Sequence, residues 1–323
     1  MFKPHLVFNL ILASLALGVG LLWINNFKLL QDEQVSLKSQ VSAYQQAEIL
    51  NTTDVPVLDS DAQLAQDLKN RFLSTISAQS VYVMDSDSGS VLLEKNSSLV
   101  KAPASITKLL TALVVRENYP LNQEITVKDE YLTEGTTIGF VPEEKLTVES
   151  LLKALLIHSA NDAAYILANN YQEGYAGFIT KMNQLASRLN LNNTYFTNPA
   201  GLDDQYHQST ARDIAILTKA VMADDVLKPM VGTKQAVISD QQQQHQHFLY
   251  TTNALLTTRN DVVGVKTGTT QAAGEALVTQ VEKEGRKIVI VVLTSQDRYQ
   301  DTNLIIDWVF ANYNWQKAEQ IGQ

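Results

Sequence analysis

Segments with strand character lie near both ends of this chain, and helical patterns fill the interval between them. Early in the chain, the apolar runs 81–85 and 91–94 flank Ser86–Gly89, which is typical of a tight turn, and predict an antiparallel hairpin. Three more strand-like runs follow late in the chain: 262–267, 276–281 and 287–293. This order predicts an α+β fold in which the early hairpin and the late strands form one antiparallel sheet, flanked by helices and accompanied by an all-helical lobe.

Apolar residues recur at helical spacing through the middle of the chain. Those after Pro103 predict a buried helix with Ser105 in its first turn. Thr147 is a candidate N-cap of a second helix, and Asp162 begins a third. The loop between these two helices is His158–Asn161. Three further helical patterns cover 175–189, 210–222 and 302–310.

An uncharged apolar run of 19 residues, Leu6–Ile24, precedes all of these patterns. At ~1.5 Å per residue, a helix of this length spans ~28 Å, close to the ~30 Å hydrocarbon core of a bilayer. Residues 1–28 are therefore predicted to be a transmembrane signal-anchor. The alternative is a cleavable signal peptide, for which Gly18–Gly20 offers small residues at a cleavage site.

The segment after the apolar run predicts a spacer. Gln, Ser, Lys and Glu dominate 29–50, with a few apolar residues at helical spacing, which is typical of a solvated stalk helix or a short coiled coil. Asn51–Pro56 breaks the pattern, so residues 29–60 are assigned to a helical stalk and linker and residues 61–323 to one globular domain. Lys3 precedes the run and Lys28 follows it, so the free amine at residue 1 tips the positive-inside rule toward a cytoplasmic N-terminus. This predicts a single-pass cell-membrane protein with its globular domain outside the cytoplasm.

Composition excludes several classes of function. The chain has 25 Lys and Arg against 34 Asp and Glu, a formal net charge of −9. Nucleic-acid binding needs clustered basic residues, so no nucleic-acid partner is expected. Cysteine is absent from the sequence, which excludes a disulfide framework, a thiolate nucleophile and a Cys-ligated metal.

Ser105 and Lys108 place a hydroxyl and an amine three residues apart on the predicted helix, where they share one face. A neutral amine can take the proton of a hydroxyl and so activate it as a nucleophile, and burial or a second cation lowers the pKa of a lysine far enough. The spacing alone is a weak signal, because Ser98–Lys101 and Ser150–Lys153 share it and such pairs are common on helix surfaces. Ser105 differs in lying at the start of an apolar helix, where backbone N–H groups converge.

Two further short motifs occur once each in the chain. Ser159–Asn161 lies between two predicted helices, where its side chains can either point into a cleft or cap the next helix. Lys266–Thr269 ends a predicted strand, and a strand followed by a turn is its simplest interpretation. Lys266 and Gly268 face the same way on that strand, so the cation can hold a carboxylate while the missing side chain of Gly268 admits substrate backbone.

In the order 105, 159 and 266, these motifs are those of penicillin-binding proteins and related β-lactamases. Within that superfamily the chain resembles the low-molecular-mass penicillin-binding proteins, the D-alanyl-D-alanine carboxypeptidase family. The resemblance runs from about residue 79 to residue 313 and implies a β-lactamase/transpeptidase-like fold. The segments that carry it are Ser105–Lys108, Thr147–Ala164, Asn198–Leu202, Ser209–Asp213, Lys266–Thr270, and Asp301–Thr302 with Asp307–Trp308 near the end.

The resemblance implies a serine-type cell-wall hydrolase that removes the terminal D-Ala of peptidoglycan stem pentapeptides through an acyl-enzyme. It also implies covalent inhibition by penicillin and other β-lactams, and it implies no cofactor and no metal. Ser105 is then the nucleophile and Lys108 its general base. Ser159 passes a proton to the leaving D-alanine, while Asn161 holds the substrate peptide and orients Lys108.

The same resemblance implies how the substrate is bound. Lys266 and the hydroxyls of Thr267 and Thr269 bind the terminal carboxylate, and Gly268 belongs to the same binding strand. The backbone N–H groups of Ser105 and Thr269 form the oxyanion hole. Some relatives add an Arg ahead of this strand, whereas this chain has Thr-Thr-Asn at 251–253.

Other functions share this machinery. A β-lactamase needs a base that activates water, yet Glu173, the only Glu between the second and third motifs, lacks the Glu-x-x-Leu-Asn context, so rapid penicillin turnover is not expected. A D,D-endopeptidase or a transpeptidase acting on crosslinks uses the same residues. A non-catalytic membrane-tethered sensor that binds muropeptide or β-lactam without turnover is the alternative from a different class.

The histidines offer two weaker hypotheses. His158 adjoins Ser159 and suggests a Ser-His dyad, but residues adjacent in a helical sequence rarely face each other. His245 and His247 could ligate a metal, although the neighbouring sequence offers no third ligand. A structural or solvent-exposed role is therefore favoured for all three.

Overall fold

The computed structural model describes residues 54–58, 62–128, 135–240 and 242–317. In these ranges the strands are β1 (Asp54–Leu58), β2 (Ser80–Asp85), β3 (Val91–Lys95), β4 (Glu124–Thr126), β5 (Lys145–Thr147), β6 (Gln235–Ser239), β7 (Gln246–Tyr250), β8 (Val262–Thr270), β9 (Gly274–Lys283), β10 (Arg286–Ser295) and β11 (Tyr313–Lys317). The helices are α1 (Ala62–Leu73), α2 (Lys108–Asn118), α3 (Val148–Ile157), α4 (Asn161–Asn169), α5 (Gly174–Arg188), α6 (Ala211–Met222), α7 (Leu227–Val231), α8 (Leu255–Thr258) and α9 (Arg298–Asn312).

A five-stranded antiparallel sheet has the order β3-β2-β10-β9-β8. The early hairpin therefore joins the late strands through β2 and β10, with Val83 opposite Ile290. The α+β prediction of one antiparallel sheet flanked by helices is confirmed. Strand β8 is the edge strand at one end of this sheet. It pairs with β9 on one side, and on the other side it contacts helices instead of a strand.

Both faces of this sheet are buried, and successive residues of β10 alternate between them. Val289 and Val291 belong to the core that the sheet shares with the helical lobe. Ile288 and Ile290 belong to a second core, which includes Ile305 of α9. A strand buried on both faces appears in the sequence as a continuous apolar run, as 287–293 does.

Helix α2 is the centre of the helical lobe. Leu109, Leu110, Ala112, Val114 and Val115 are each fully buried, so apolar contacts surround the helix on nearly all sides. A short 3-10 turn at Ala104–Thr107 precedes it, and Lys108 is its first residue. Ser105 therefore lies in the turn that leads into the buried helix, close to its predicted place.

The first described strand corrects the predicted linker. Asp54–Leu58 pairs antiparallel with Tyr313–Lys317, with Pro56 opposite Trp315. These residues therefore form a strand and not the predicted linker. Val55 and Val57, on either side of Pro56, favour a strand, and an edge strand tolerates a proline, which has no N–H to donate. The predicted anchor 1–28 and the stalk residues 29–50 lie outside the described residues. Among the described helices, none has both the length and the apolarity needed to cross a bilayer.

Two glycines bring the chain close to the turn that precedes α2. Ala104 adopts a left-handed conformation with φ +49°. A Cβ atom on Gly201, which itself has φ +88°, would lie 1.8 Å from the Ala104 carbonyl oxygen. A Cβ on Gly268 would lie 3.0 Å from the Ala104 Cβ and 3.2 Å from the Ser105 nitrogen. The missing side chains therefore let two segments clamp the Ala104–Ser105 peptide.

We expect Gly201→Ala to lower the free energy of unfolding by about 2–5 kcal/mol, because it combines a left-handed alanine with an overpacked contact. Urea denaturation of the variant measures this loss. The matched control is Gly89→Ala, since Gly89 has φ +73° but its Cβ would meet no atom within 4 Å. The control should lose only about 1–2 kcal/mol, and equal losses in the two variants would contradict the clamp.

Candidate active site

The amine of Lys108 is buried and has three oxygen partners. The side chain is 0% exposed. Its Nζ lies 2.8 Å from Ser105 Oγ, 2.8 Å from Asn161 Oδ1 and 2.8 Å from the carbonyl oxygen of Ala200. The structure thus brings the predicted nucleophile, the predicted base and the predicted orienting amide together around one nitrogen.

These contacts suit a neutral amine. Burial lowers the pKa of Lys108 well below its usual value, and the charge of Lys266 lowers it further, against a raising effect of Asp162. A neutral amine has two N–H bonds and one lone pair. The amide oxygen of Asn161 and the carbonyl of Ala200 can only accept, so they take the two N–H bonds. The lone pair is then left for the hydroxyl proton of Ser105.

Lys266 forms a second lysine–serine pair in the same region. Its side chain is 1% exposed, and its Nζ donates to Ser159 Oγ at 2.7 Å and to the Thr267 carbonyl at 3.1 Å. Burial, and then the nearby charge of Arg298, lower the pKa of Lys266 to about 7. The second lysine therefore titrates near neutral pH and can both hold a negative charge and deliver a proton.

A short loop presents the second motif to these lysines. Ser159 has φ +64°, a left-handed conformation that is uncommon for a non-glycine residue. The turn is held on both sides, because Ala160 N–H donates to Ala154 at 3.1 Å and Asn161 N–H donates to Thr136 at 2.7 Å. Helix α4 then begins at Asn161. Side chains two residues apart thereby reach two different lysines.

The K-T-G segment lies on the edge strand β8. The missing side chain of Gly268 makes room for the segment 103–105, because a Cβ at this position would lie 3.1 Å from the Pro103 carbonyl oxygen and 3.2 Å from the Ser105 nitrogen. Its predicted role in admitting substrate stays a prediction. The hydroxyl of Thr267 lies 2.7 Å from that of Thr252, so the Thr-Thr-Asn segment supports the strand.

Arg298 is a site residue that the sequence analysis missed. Its Nη1 donates to Thr269 Oγ1 at 2.6 Å and to the Gly268 carbonyl at 3.0 Å. The predicted last helix began at residue 302, whereas Asp297 caps it and Arg298 is its first residue. In the sequence, Asp297 as a candidate N-cap was the feature that could have placed the helix start here. Its side chain accepts the N–H groups of Tyr299 and Gln300 in the first turn.

The histidine hypotheses find other partners. His158 Nδ1 accepts the Tyr250 N–H at 3.4 Å, while the Ser159 hydroxyl bonds to Lys266, so the structure gives no support to a Ser-His dyad. His247 Nε2 lies 2.6 Å from Glu144 Oε1. Within the described ranges, no group of three or more His, Asp or Glu side chains is arranged to hold a metal ion.

Comparison with known proteins points to one family. The family model described as D-alanyl-D-alanine carboxypeptidase matches residues 65–297. D-alanyl-D-alanine carboxypeptidase DacF of Bacillus subtilis is 32% identical over 73% of this chain and 63% of its own length. DacC of Escherichia coli is 32% identical over 73% of this chain and 62% of its own length. The chain thus spans less than two thirds of the length of these curated relatives.

Solved structures share the same fold. The Streptomyces K15 DD-transpeptidase superimposes with a TM-score of 0.70 at 29% identity, covering 73% of this chain and 98% of that protein. A D-alanyl-D-alanine carboxypeptidase from Mycobacterium tuberculosis gives a TM-score of 0.67 at 30% identity, covering 73% and 91%. With the family match over 65–297 and the three motifs joined by the hydrogen bonds of Lys108 and Lys266, this chain belongs to the D-alanyl-D-alanine carboxypeptidase family.

Proposed function

We propose that this protein is a serine-type D-alanyl-D-alanine carboxypeptidase that removes the terminal D-Ala of peptidoglycan stem pentapeptides. The observation that carries the proposal is the contact between the Lys108 amine and the Ser105 hydroxyl at 2.8 Å. The two acceptors on the same amine leave its lone pair for that hydroxyl, which is the arrangement that general-base activation of a serine requires.

In the acylation step, Ser105 Oγ attacks the carbonyl carbon of the penultimate D-Ala as its proton moves to Lys108. The backbone N–H groups of Ser105 and Thr269 stabilise the oxyanion, and each such donor is typically worth about 3–4 kcal/mol of barrier. The C–N bond then breaks as Ser159 protonates the leaving amine, and Lys266, at 2.7 Å, restores the proton of Ser159. Water then attacks the ester and gives its proton through Ser159 to Lys266, which is neutral after the first step. Lys108 returns the proton that it holds to the Ser105 oxygen, and the hydroxyl is regenerated.

The terminal carboxylate of the substrate is assigned to the end of β8. Lys266 supplies a charge there, and Thr267 and Thr269 supply hydroxyls. Arg298 adds a second cation, because its guanidinium already contacts Thr269 Oγ1. A planar guanidinium suits bidentate binding of a carboxylate. The arginine that some relatives place before this strand is replaced here by one that follows β10.

The same chemistry accounts for inhibition by β-lactams, which would acylate Ser105 and remain bound. We also propose that the apolar run Leu6–Ile24 anchors the protein in the cell membrane with the catalytic domain outside the cytoplasm. The length of the run supports the anchor, and the free amine and Lys3 before it, against Lys28 after it, support the orientation.

Transfer to an amine is the second candidate, supported by the structural similarity to the Streptomyces K15 DD-transpeptidase. An acyl-enzyme can be attacked by water or by the amine of a second stem peptide. Incubation with a pentapeptide and an acceptor amine, followed by mass measurement of the product, separates hydrolysis from transfer.

Labelling by penicillin without release of D-alanine would instead support a sensor that binds without turnover.

Ser105→Ala is expected to abolish both covalent labelling by a fluorescent penicillin and release of D-alanine from a pentapeptide, because it removes the attacking oxygen. The matched control is Ser98→Ala, since the exposed Ser98 has the same spacing to Lys101 that Ser105 has to Lys108. The control should label and turn over like the wild type. D-Alanine release retained by Ser105→Ala would show that the nucleophile is another residue.

The rate of D-alanine release should depend on pH through two lysines, one needed in its neutral form and one in its charged form. Lys108 must be neutral to act as a base, so acylation should slow as the pH falls through its lowered pKa. Lys266 must be charged to hold a carboxylate, so kcat/KM should fall as the pH rises above its pKa of about 7. Both limbs are measured from initial rates of D-alanine release.

Lys266→Arg tests the assignment of the alkaline limb. A guanidinium keeps its charge throughout the accessible pH range, so the variant, although slower, should lose the fall in kcat/KM at alkaline pH while keeping the acid limb. An alkaline limb that survives unchanged in Lys266→Arg would assign it to a different group.

A further inference from the structure

A buried imidazole joins the helix start that carries Lys108 to the turn that accepts a hydrogen bond from it. His207 is 3% exposed, and its Nε2 lies 2.7 Å from the hydroxyl oxygen of Thr107. Its Nδ1 accepts the backbone N–H of Thr197 at 3.1 Å. Thr107 immediately precedes Lys108, and Thr197 begins the turn that contains Ala200. The ring therefore bridges two segments that both contact the catalytic amine.

The hydrogen bonds determine which ring nitrogen carries the proton. A nitrogen that accepts from a backbone N–H has no hydrogen of its own, so the proton of the neutral ring lies on Nε2 and is donated to Thr107 Oγ1. Burial lowers the pKa of His207 to about 4, although the charges of Asp204 and Asp203 act in the raising direction. The ring is thus neutral at physiological pH and keeps one tautomer.

Asn198 extends this bridge into the turn. Its Nδ2 lies 3.4 Å from Nδ1 of His207. Its Oδ1 accepts three successive backbone N–H groups: those of Ala200 at 3.2 Å, Gly201 at 2.7 Å and Leu202 at 3.0 Å. The amide thereby shapes the turn so that the carbonyl of Ala200 points at the Lys108 amine.

Helix α2 holds the same turn from its other side. Thr111, one helical turn after Lys108, donates its hydroxyl to the carbonyl of Pro199 at 2.7 Å. Two successive carbonyls of the turn, Pro199 and Ala200, are thus bound by side chains of one helix. The contact from His207 to Thr107 adds a third link between this turn and the start of the helix.

We propose that His207 is a positioning residue for acylation: by bridging Thr107 and Thr197 it fixes the Ala200 carbonyl relative to Lys108, and so the direction of the amine lone pair. The inference rests on the proposed function, since the lone pair matters only if Lys108 takes the proton of Ser105. A reacting group displaced by ~1 Å can lose ~100-fold in rate, so a loosened bridge should appear in the chemical step.

Two variants of the imidazole separate its two contacts. His207→Asn keeps an acceptor near the Nδ1 position and loses the donor to Thr107. His207→Gln places an amide N–H near the Nε2 position and loses the acceptor for Thr197. Each should slow acylation by fluorescent penicillin by about 10–100-fold, with little change in the Kd of the non-covalent complex. Rates as fast as the wild type in both variants would overturn the inference.

A double-variant cycle tests whether Thr107 and His207 act through one hydrogen bond. Thr107→Val removes the hydroxyl and keeps the shape of the side chain. If the bond is shared, the double variant Thr107→Val with His207→Asn should acylate no more slowly than the slower single variant. Losses that multiply would show two independent effects and would overturn the bridge. Rates are normalised to the folded fraction, so a simple loss of stability does not imitate the result.

Thr218→Val is the matched control for a lost buried hydroxyl. Thr218 is fully buried on α6, and its hydroxyl donates to the Ile214 carbonyl at 2.7 Å. The control should acylate at the wild-type rate even if it is less stable. An equal slowing in Thr218→Val and Thr107→Val would attribute the effect to general destabilisation and would overturn the positioning role.

Nitrogen NMR of the labelled imidazole tests the bridge without any turnover. Near neutral pH, His207 in the wild-type protein should show a hydrogen on Nε2, none on Nδ1, and no titration. The opposite tautomer, or a ring that protonates near its ordinary pKa, would overturn the bridge alone. A wild-type protein that shows the expected tautomer but fails to label with penicillin would instead overturn the proposed function, and the acylation role of His207 with it.

Discussion

An ammonium group is costly to bury, and this constraint organises the whole site around Lys108. Helix α2 is surrounded by apolar side chains, and the amine at its first residue meets only neutral oxygen partners in the hydrogen bonds described. One acid, Asp162, acts in the raising direction, and it accepts the backbone N–H groups of Ile138, Gly139 and Ala163. Burial and the charge of Lys266 outweigh its effect, so the lysine keeps a lowered pKa.

Bringing three chain segments around one nitrogen requires unusual backbone. Ala104 precedes the proposed nucleophile, Ser105, and Ser159 belongs to the second motif; both Ala104 and Ser159 adopt the left-handed conformation. Such residues typically cost about 1–3 kcal/mol each and persist only where surrounding contacts hold them. The glycines at 201 and 268 hold the first turn, and hydrogen bonds to Ala154 and Thr136 hold the loop of the second. The strain therefore lies where the reacting groups meet.

Local patterns predicted the sheet and the helical lobe, because periodicity is carried by neighbouring residues. The gathering of Ser105 with its partners was implied only by the resemblance to a known family, since each motif alone was a weak signal. Contacts between distant residues were not predicted: Arg298 meets a threonine 29 residues away, and His207 meets one 100 residues away. The hairpin of Gln235–Ser239 with Gln246–Tyr250 was missed as well, because the connecting residues 240–245 contain four Gln and no Gly, which is not a typical turn sequence. Such features depend on tertiary packing, which no local pattern contains.

The two lysines acquire opposite tasks from their surroundings. Lys108 is fully buried and has a second cation, Lys266, nearby, so the neutral form is favoured. Lys266 has the milder shift, to a pKa of about 7, and a bound anionic substrate would raise that pKa again. Substrate binding would therefore charge Lys266, and the charge on Lys266 would further disfavour protonation of Lys108. Binding of a substrate carboxylate would thus favour the neutral form of Lys108, the proposed base for Ser105, a coupling that requires both buried amines to lie close together.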